Sequence, residues 1–422
     1  MPYSTVLCLD DLTRDEFWPA KEFMYDLIRL PVYYAAGIDI ACSPRNGQRH
    51  NLGAGFDVHR FLALCRGEHA KVDWVACHHE VPPAAAIELA SHIPDGALVV
   101  SYEMPPWLRK VLDQRGCDWI DLRLAPLRFA TDLYMAARTN RPALYAALHR
   151  HAVTPHAIHF EAMMLAARVR HHRRYAEDNL ALDGSVVYLG QTEADAAIID
   201  SNGRFVRIAD RADSLREAVG AAPVLYRAHP QGGAFAEEEQ REIERLIGRQ
   251  VTRCEVETYE LMAGDAAVKL VGLSSGALQE ALWFGRDAVA LLDPICRPEF
   301  GETWNGETYQ LLASHDFISE PLWAELTTGT APRADAVRIA ARPNLLRELH
   351  NAWWGYSGAS IRHSHFYREV VDVHGRDVRD RLAATESQLA AANRDIEQLR
   401  DQLSQTLNAV RGLLNERRTA VA

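Results

Sequence analysis

The chain has 422 residues, of which 48% are hydrophobic and 24% charged, and its formal net charge is −11. That length exceeds one ordinary hydrophobic core and predicts two domains with an appendage, while the negative balance argues against a general nucleic-acid binder. Seven scattered cysteines with no C-x-x-C pair fit neither a disulfide framework nor a zinc site, and suit a reducing cytoplasm.

The N-terminal "MPYSTVLCLDDLTRDEFWPAKEF" lacks a basic start followed by an apolar core, so it does not read as a signal peptide. No apolar run reaches the roughly 18 residues of a membrane span. In chain order the predicted strands are "STVLCLD", "VDWVACHH", "GALVVSYEMP", "CDWIDLRL", "GSVVYLGQT", "APVLYRAHP", "AVKLVGLSS" and "DAVALLD". Helical patterns lie between several of them: "PPAAAIELASHI", "MPPWLRKVLDQRG", "FAEEEQREIERLIGRQ" and "GALQEALWFGR". This alternation predicts an α/β protein with parallel sheets covered by helices, which bind ligands beyond the carboxyl ends of their strands.

A long helical stretch over 126–182 places a boundary near residue 182. The expected organisation is a first domain over 1–182, a second over 183–335, helices over 336–375 crossing back to the first domain, and a coiled coil over 376–422. In the tail, Leu382, Leu389, Ile396, Leu403 and Val410 recur every seven residues. Thr385, Ala392, Leu399, Thr406 and Leu413 follow three positions later. That heptad seam predicts self-association or a partner helix, against the alternative of a lone helix packed on its own domain.

Four strand ends hold candidate chemistry. In "YRAHP", Arg227 and His229 fall on one side at strand spacing and offer a guanidinium fork and an imidazole to a phosphate; a surface salt bridge and a histidine satisfied by hydrogen bonds are the plainer alternative. In "GLSSGALQEALWFG", Ser274 and Ser275 precede a helix start, an anion site or simply an N-cap, and Glu280 follows as a ribose ligand or a solvated carboxylate. Asp195 in "YLGQTEADAAII" is a nucleophile, a base or a helix N-cap, with Glu193 its neighbour in competition. Glu103 in "VVSYEMPPWL" sits at a rigid turn as a general acid or base, with Asp121 the alternative; Arg123, Arg128 and Asp132 read as structural ion pairs.

Two clusters are set aside. "CHHE", Cys77 to Glu80, alternates across a predicted strand and does not converge on a metal. "RVRHHRRY", Arg168 to Tyr175, reads as a solvated basic helix face, or as a surface for an anionic acceptor or an acidic membrane. No Walker, G-x-G-x-x-G or G-x-S-x-G pattern occurs, which weighs against kinase, dehydrogenase and hydrolase readings.

"YRAHP" and "GLSSGALQEALWFG", about 45 residues apart, resemble the His-Pro and Ser-Ser motifs of bacterial glycosyltransferases that use CMP-activated acidic sugars. "WIDLRLAPLRFATDLYMAARTN" and "YLGQTEADAAIID" further resemble the capsule and lipopolysaccharide polysaccharide biosynthesis family of retaining β-Kdo transferases. The resemblance spans roughly residues 95 to 360; where that family has His before Pro, this chain has Ala125-Pro126. It implies a GT-B-like fold, two Rossmann-type domains with a cleft between them, and transfer of Kdo from CMP-β-Kdo to a lipid-linked saccharide.

It further implies that Arg227, His229, Ser274 and Ser275 hold the CMP phosphate and that Glu280 lies near the cytidine ribose. Asp195 becomes the nucleophile, and Glu103, or Asp121, deprotonates the acceptor. No metal or cofactor is expected, and the location implied is the cytoplasm or the inner membrane face, with at most peripheral membrane contact. Competing readings are an inverting sialyltransferase-like enzyme, a non-catalytic coiled-coil assembly factor, and a GT-B transferase or epimerase using a nucleoside-diphosphate sugar.

Overall fold

Most of the apolar runs form parallel strands. The computed structural model describes residues 3–14, 19–42, 56–69, 71–173, 182–230 and 232–353. The described residues all fall in one compact unit, Met1–Ser357. The heptad seam and residues 354–375 lie outside the described residues.

The first layer contains β1 (Thr5–Cys8), α1 (Pro19–Ala36), β2 (Ala41–Cys42), α2 (Val58–Arg66), α3 (Pro83–Ser91), β3 (Ala97–Tyr102), α4 (Pro106–Arg115), β4 (Asp118–Leu124), β5 (Met135–Thr139), α5 (Pro142–Arg150) and α6 (Pro155–Arg173). The second contains β6 (Val186–Leu189), α7 (Ala212–Val219), β7 (Val224–Arg227), α8 (Gly233–Ile247), β8 (Val251–Arg253), α9 (Thr258–Ala263), β9 (Lys269–Gly272), α10 (Gly276–Trp283) and β10 (Asp287–Ala290). The chain then returns to the first layer through β11 (Gln310–Leu312), α11 (Ser314–Phe317), α12 (Glu320–Thr328) and α13 (Leu345–Trp353).

The first sheet has the order β11-β5-β4-β3-β1-β2, and the second β10-β9-β6-β7-β8. The second sheet is parallel throughout, whereas β5 runs antiparallel to β4 and to β11. Burial on both faces explains why β3 reads as an unbroken apolar run, since helices cover both sides of a parallel sheet. Val6, Leu98 and Val100 face α1 and α12, while Leu7, Val99 and Trp119 face α2, α3 and α4. Prolines at the first turns of α3, α4 and α5 set helical φ where no N–H is needed. A third core joins the two layers: Leu127 and Phe129 after β4 pack with Ile158, Ala162 and Val169 of α6, Ala263 of α9 and Leu311 of β11.

Four expectations change. The stretch 126–182 is not continuously helical, because β5 occupies Met135–Thr139 within it, fully buried between β4 and β11. "VDWVACHH" is a turn rather than a strand: the Asp73 carboxylate accepts from the N–H groups of Val75 and Ala76, so the local side chain outcompetes a sheet ladder. The alternation argument about Cys77 to Glu80 therefore lapses, and among the described residues no three His, Cys, Asp or Glu side chains converge as metal ligands do. The return to the first layer also comes earlier than residue 336, at Gln310 of β11. Asp132 is a cap and not an ion pair: it accepts from the N–H groups of Leu346 and Arg347, tying the start of α13 to the first layer.

Candidate functional site

Each sheet has one point where the strand order reverses. In the second sheet it lies between β6 and β9, and in the first between β1 and β3. Ligands of open α/β sheets bind at such points, beyond the carboxyl ends of the strands. Asp195 and His229 lie close to the first of these, and Glu103 lies at the second.

After β6 the chain turns through Gly190 and Gln191. A side chain at Gly190 would place its Cβ 2.5 Å from the Tyr226 hydroxyl, so only glycine fits. The Glu239 carboxyl of α8, buried, accepts from the Tyr226 hydroxyl at 2.8 Å and the Tyr188 hydroxyl at 3.2 Å. Burial pushes Glu239 above the usual carboxylate range, against the pull of those tyrosines. This network lies under the strand exits and fixes them.

Asp195 has extended φ and ψ, and its side chain accepts from the Ala197 N–H at 2.8 Å, capping the short 3-10 helix Ala196–Ile198. His229 lies beyond the end of β7, because the strand stops at Arg227 and its alternation does not reach the imidazole. Burial lowers the His229 pKa, and the nearby Asp195 carboxylate opposes that shift. The Asp195 carboxylate thus lies within electrostatic range of the His229 imidazole, which burial biases toward its neutral form.

The other expected ligands are placed differently. Ser274 is 7% exposed, and its hydroxyl donates to the Ala197 carbonyl at 2.9 Å and accepts from the Gln191 amide at 3.0 Å. It fastens the Asp195 loop to the β9 exit rather than facing a ligand. Ser275 is the N-cap residue of α10 but forms no side-chain cap hydrogen bond, so its half-buried hydroxyl is the one of the pair still able to meet an anion. β6 separates β7 from β9, so the His-Pro and Ser-Ser exits are not on adjacent strands. Arg227 pairs with Glu257 at 3.3 Å and donates to the Cys254 carbonyl, the plainer of its two readings.

Glu280 is 4% exposed and faces the first layer, which removes it from the ribose role. One of its oxygens accepts from the Arg128 N–H, the Phe129 N–H at 3.0 Å and the Tyr259 hydroxyl at 3.0 Å. Burial pushes its pKa up to about 7 although all three donors pull the other way.

In the first sheet, Glu103 leaves β3 with φ of +56°, a left-handed conformation that L-residues other than Gly, Asn and Asp rarely adopt. Its side chain is 38% exposed and lies 3.9 Å from the Arg14 guanidinium, which also stacks on the Trp74 ring. Asp121 is 0% exposed and accepts from the Met104 N–H, the Tyr309 hydroxyl and Arg138. Arg123 donates to the Met104 carbonyl at 3.0 Å, so Asp121 and Arg123 together hold the residue after Glu103. Asp121 is thus a positioning residue, and the geometry favours Glu103 of the two as a group able to reach a ligand.

Around Glu103 the sequence reading overlooked several side chains. Asp11 after β1 is buried and accepts from the Trp107 indole at 3.1 Å. His78 is 7% exposed, and burial pushes its pKa down to about 4. In the sequence Asp11 shows only in the "DD" that closes the first strand, and His78 only in the "CHHE" weighed as metal ligands. The turn holding His78 also meets the second layer, where the Trp74 ring lies 5.8 Å from Phe205 and a Cβ at Gly203 would come within 2.9 Å of the Val75 carbonyl. A separate cavity of about 620 Å³ opens at the opposite edge of the second sheet, lined by Ser185, Glu217, Lys269 and Asp287 among others. It is remote from these strand exits.

A left-handed glutamate stores strain of roughly 1–2 kcal/mol, partly offset on glycine substitution by the extra freedom of the unfolded chain. Glu103→Gly should therefore match or exceed the parent in urea denaturation, within about 1 kcal/mol. A larger loss would mean that the side chain is needed for the fold.

No protein-family model matches the chain, and no curated protein matches it. Among solved structures, it is similar to a Thermosulfurimonas dismutans KpsC, a beta Kdo 2,7 transferase, at 16% identity and TM-score 0.30, over 49% of this chain and 68% of that one. A second KpsC from the same organism, a beta Kdo 2,4 transferase, aligns at 16% identity and TM-score 0.27, over 47% and 70%. The apo-structure of D-lactate dehydrogenase from Escherichia coli aligns at 12% identity and TM-score 0.19, over 68% and 76%. Scores this low establish no shared fold.

Proposed function

We propose that the chain is a GT-B-like glycosyltransferase that moves Kdo from CMP-β-Kdo to a saccharide acceptor with retention. The observation that supports this most is that Asp195, His229 and Ser275 all follow strand exits around the switch point of the second sheet, with Asp195 in electrostatic range of His229. Those residues belong to the same motifs that resemble the CMP-sugar transferases.

In this reading an Asp195 oxygen attacks the anomeric carbon, and the bond from that carbon to the CMP phosphate oxygen breaks. The departing monophosphate gains charge, which the His229 N–H, the Ser275 hydroxyl and the first N–H groups of α10 meet. Arg227, held by Glu257, fixes the strand exit from which His229 projects. Glu103 then takes the proton of an acceptor hydroxyl, whose oxygen attacks the sugar and releases Asp195. Two displacements at one carbon give net retention. As drawn, the chemistry requires no metal or other cofactor. A lipid-linked acceptor, capsule or lipopolysaccharide synthesis at the inner face of the cytoplasmic membrane, and self-association through the 376–422 seam belong to the same proposal.

The test combines two measurements. CMP, and neither UDP nor GDP, should raise the melting temperature. Incubation with CMP-β-Kdo should leave a sugar adduct on Asp195, visible by intact-protein mass spectrometry and abolished by Asp195→Asn. CMP stabilisation without an adduct would redirect the reading to inverting transfer, and a response to UDP alone would overturn it.

A further inference from the structure

The turn over 73–79 carries buried polar chemistry that the fold does not use. Its backbone is fixed: the Cys77 N–H donates to the Asp73 carbonyl at 2.9 Å, and the His78 N–H to the Val75 carbonyl at 3.1 Å. The His78 carbonyl accepts from the Trp107 N–H at 3.3 Å, which ties the turn to α4, and the Trp107 indole reaches Asp11 beyond β1. The His78 ring, in contrast, makes no hydrogen bond with any described residue. Nδ1 is buried without a partner, and Nε2 has none either, although it is not sealed off. His79 meets the ring edge to face at 4.9 Å and has a buried unpartnered Nε2 of its own, so it does not satisfy His78. Leaving a buried polar group unsatisfied lowers stability, and each such group asks for a role.

Burial, reinforced by His79, Arg123 and Arg14 against the pull of Asp11, holds the ring neutral, with its pKa down to about 4. A neutral imidazole has one N–H. A buried N–H without an acceptor is rarer than a buried acceptor without a donor, which puts the proton on Nε2 and the idle lone pair on Nδ1. Nε2 is then an uncharged donor in the neighbourhood of Glu103, since Arg14 and Arg123 lie within electrostatic range of both residues. The other end of the turn packs on the second layer, with Trp74 against Phe205 at 5.8 Å. Phe205 in turn bridges Ile199, which closes the 3-10 helix that Asp195 caps. The turn therefore reaches from the Glu103 exit to the Asp195 loop. We infer that His78 donates through Nε2 to a hydroxyl oxygen of the acceptor saccharide, next to the hydroxyl that Glu103 deprotonates. His78 thereby selects and orients a vicinal diol. An uncharged donor suits a hydroxyl, whereas a carboxylate or phosphate is better met by a charged one. The inference rests on the transfer reading above, with Glu103 as the acceptor base.

The test uses the full chain with CMP-β-Kdo as donor and glycerol as a minimal vicinal diol, and measures glyceryl-Kdo against free Kdo. His78→Phe keeps the ring's bulk and removes both the donor and the unpartnered Nδ1. The product ratio should fall about three- to tenfold, the size of one uncharged hydrogen bond, while the melting temperature stays level or rises. His78→Gln, which carries an amide N–H to the reach of Nε2, should recover most of the ratio. Nitrogen NMR of the parent should show the His78 ring neutral and protonated on Nε2 at about pH 7. An unchanged ratio in His78→Phe, no recovery in His78→Gln, or a proton on Nδ1 would each overturn the assignment. A lower melting temperature in His78→Phe with both products reduced alike would make His78 a structural residue. Release of CMP by the parent with no glyceryl product would remove the diol subsite and leave the transfer reading standing. No release of CMP at all would overturn that reading and this inference with it.

Discussion

Asp121→Asn is expected to destabilise the fold by about 3–5 kcal/mol, the usual effect of removing one charge from a buried pair. The substitution keeps an acceptor for the Met104 N–H but leaves Arg123 and Arg138 facing each other without their common anion. Burial alone would raise the Asp121 pKa. The two guanidiniums, with the Tyr309 hydroxyl and the Met104 N–H, outweigh it and hold the carboxyl below its ordinary value. A depressed pKa means that the native state favours the ionised form. That stabilisation is fully present above the unfolded-state pKa and is lost as pH falls through the native one. The difference between parent and variant in urea denaturation should therefore be large at neutral pH and shrink in acid. If Asp121 instead served as the acceptor base, Asp121→Asn would lose activity while keeping its stability. Glu103→Gln, on a residue 38% exposed, should do just that.

How far the sequence could be read depends on the distance between partners. β3 announces itself because a parallel strand buried on both faces needs consecutive apolar residues, and the prolines that begin α3 and α4 mark where each helix starts. β5 does not, because "MAART" has helix-forming residues and is a strand only through its neighbours β4 and β11, the latter well over a hundred residues away. The same holds at the site. Asp195 and His229 are legible as strand-end polar residues, and both follow exits of the second sheet, Asp195 after β6 and His229 after β7. Ser274 looked like a phosphate ligand because nothing local shows that its partner is Gln191, 83 residues earlier. The left-handed backbone of Glu103 has no signature in "SYEMPP", since its conformation is imposed by Asp121 and Arg123 clamping Met104.

Glu280 shows the same principle with a measurable consequence. It was read as a ribose ligand from its place one and a half turns into a helix, yet its partners are the backbone of Arg128 and Phe129, 152 and 151 residues away. It fastens α10 of the second layer to the segment that follows β4 of the first. Desolvation dominates and raises its pKa to about 7. Because the native state holds the proton more tightly than the unfolded chain, the stabilisation is complete in mild acid, below the unfolded-state value. It is lost as pH rises toward and through 7. A rise from the ordinary glutamate value to about 7 corresponds to roughly 3 kcal/mol over that interval. Glu280→Gln keeps an oxygen for the same donors but has no proton to lose. The parent should therefore lose roughly 3 kcal/mol relative to the variant between mild acid and pH 8 in denaturant titrations. A difference that does not vary with pH would show that the carboxyl is ionised throughout, and that the donors from Arg128, Phe129 and Tyr259 outweigh its burial.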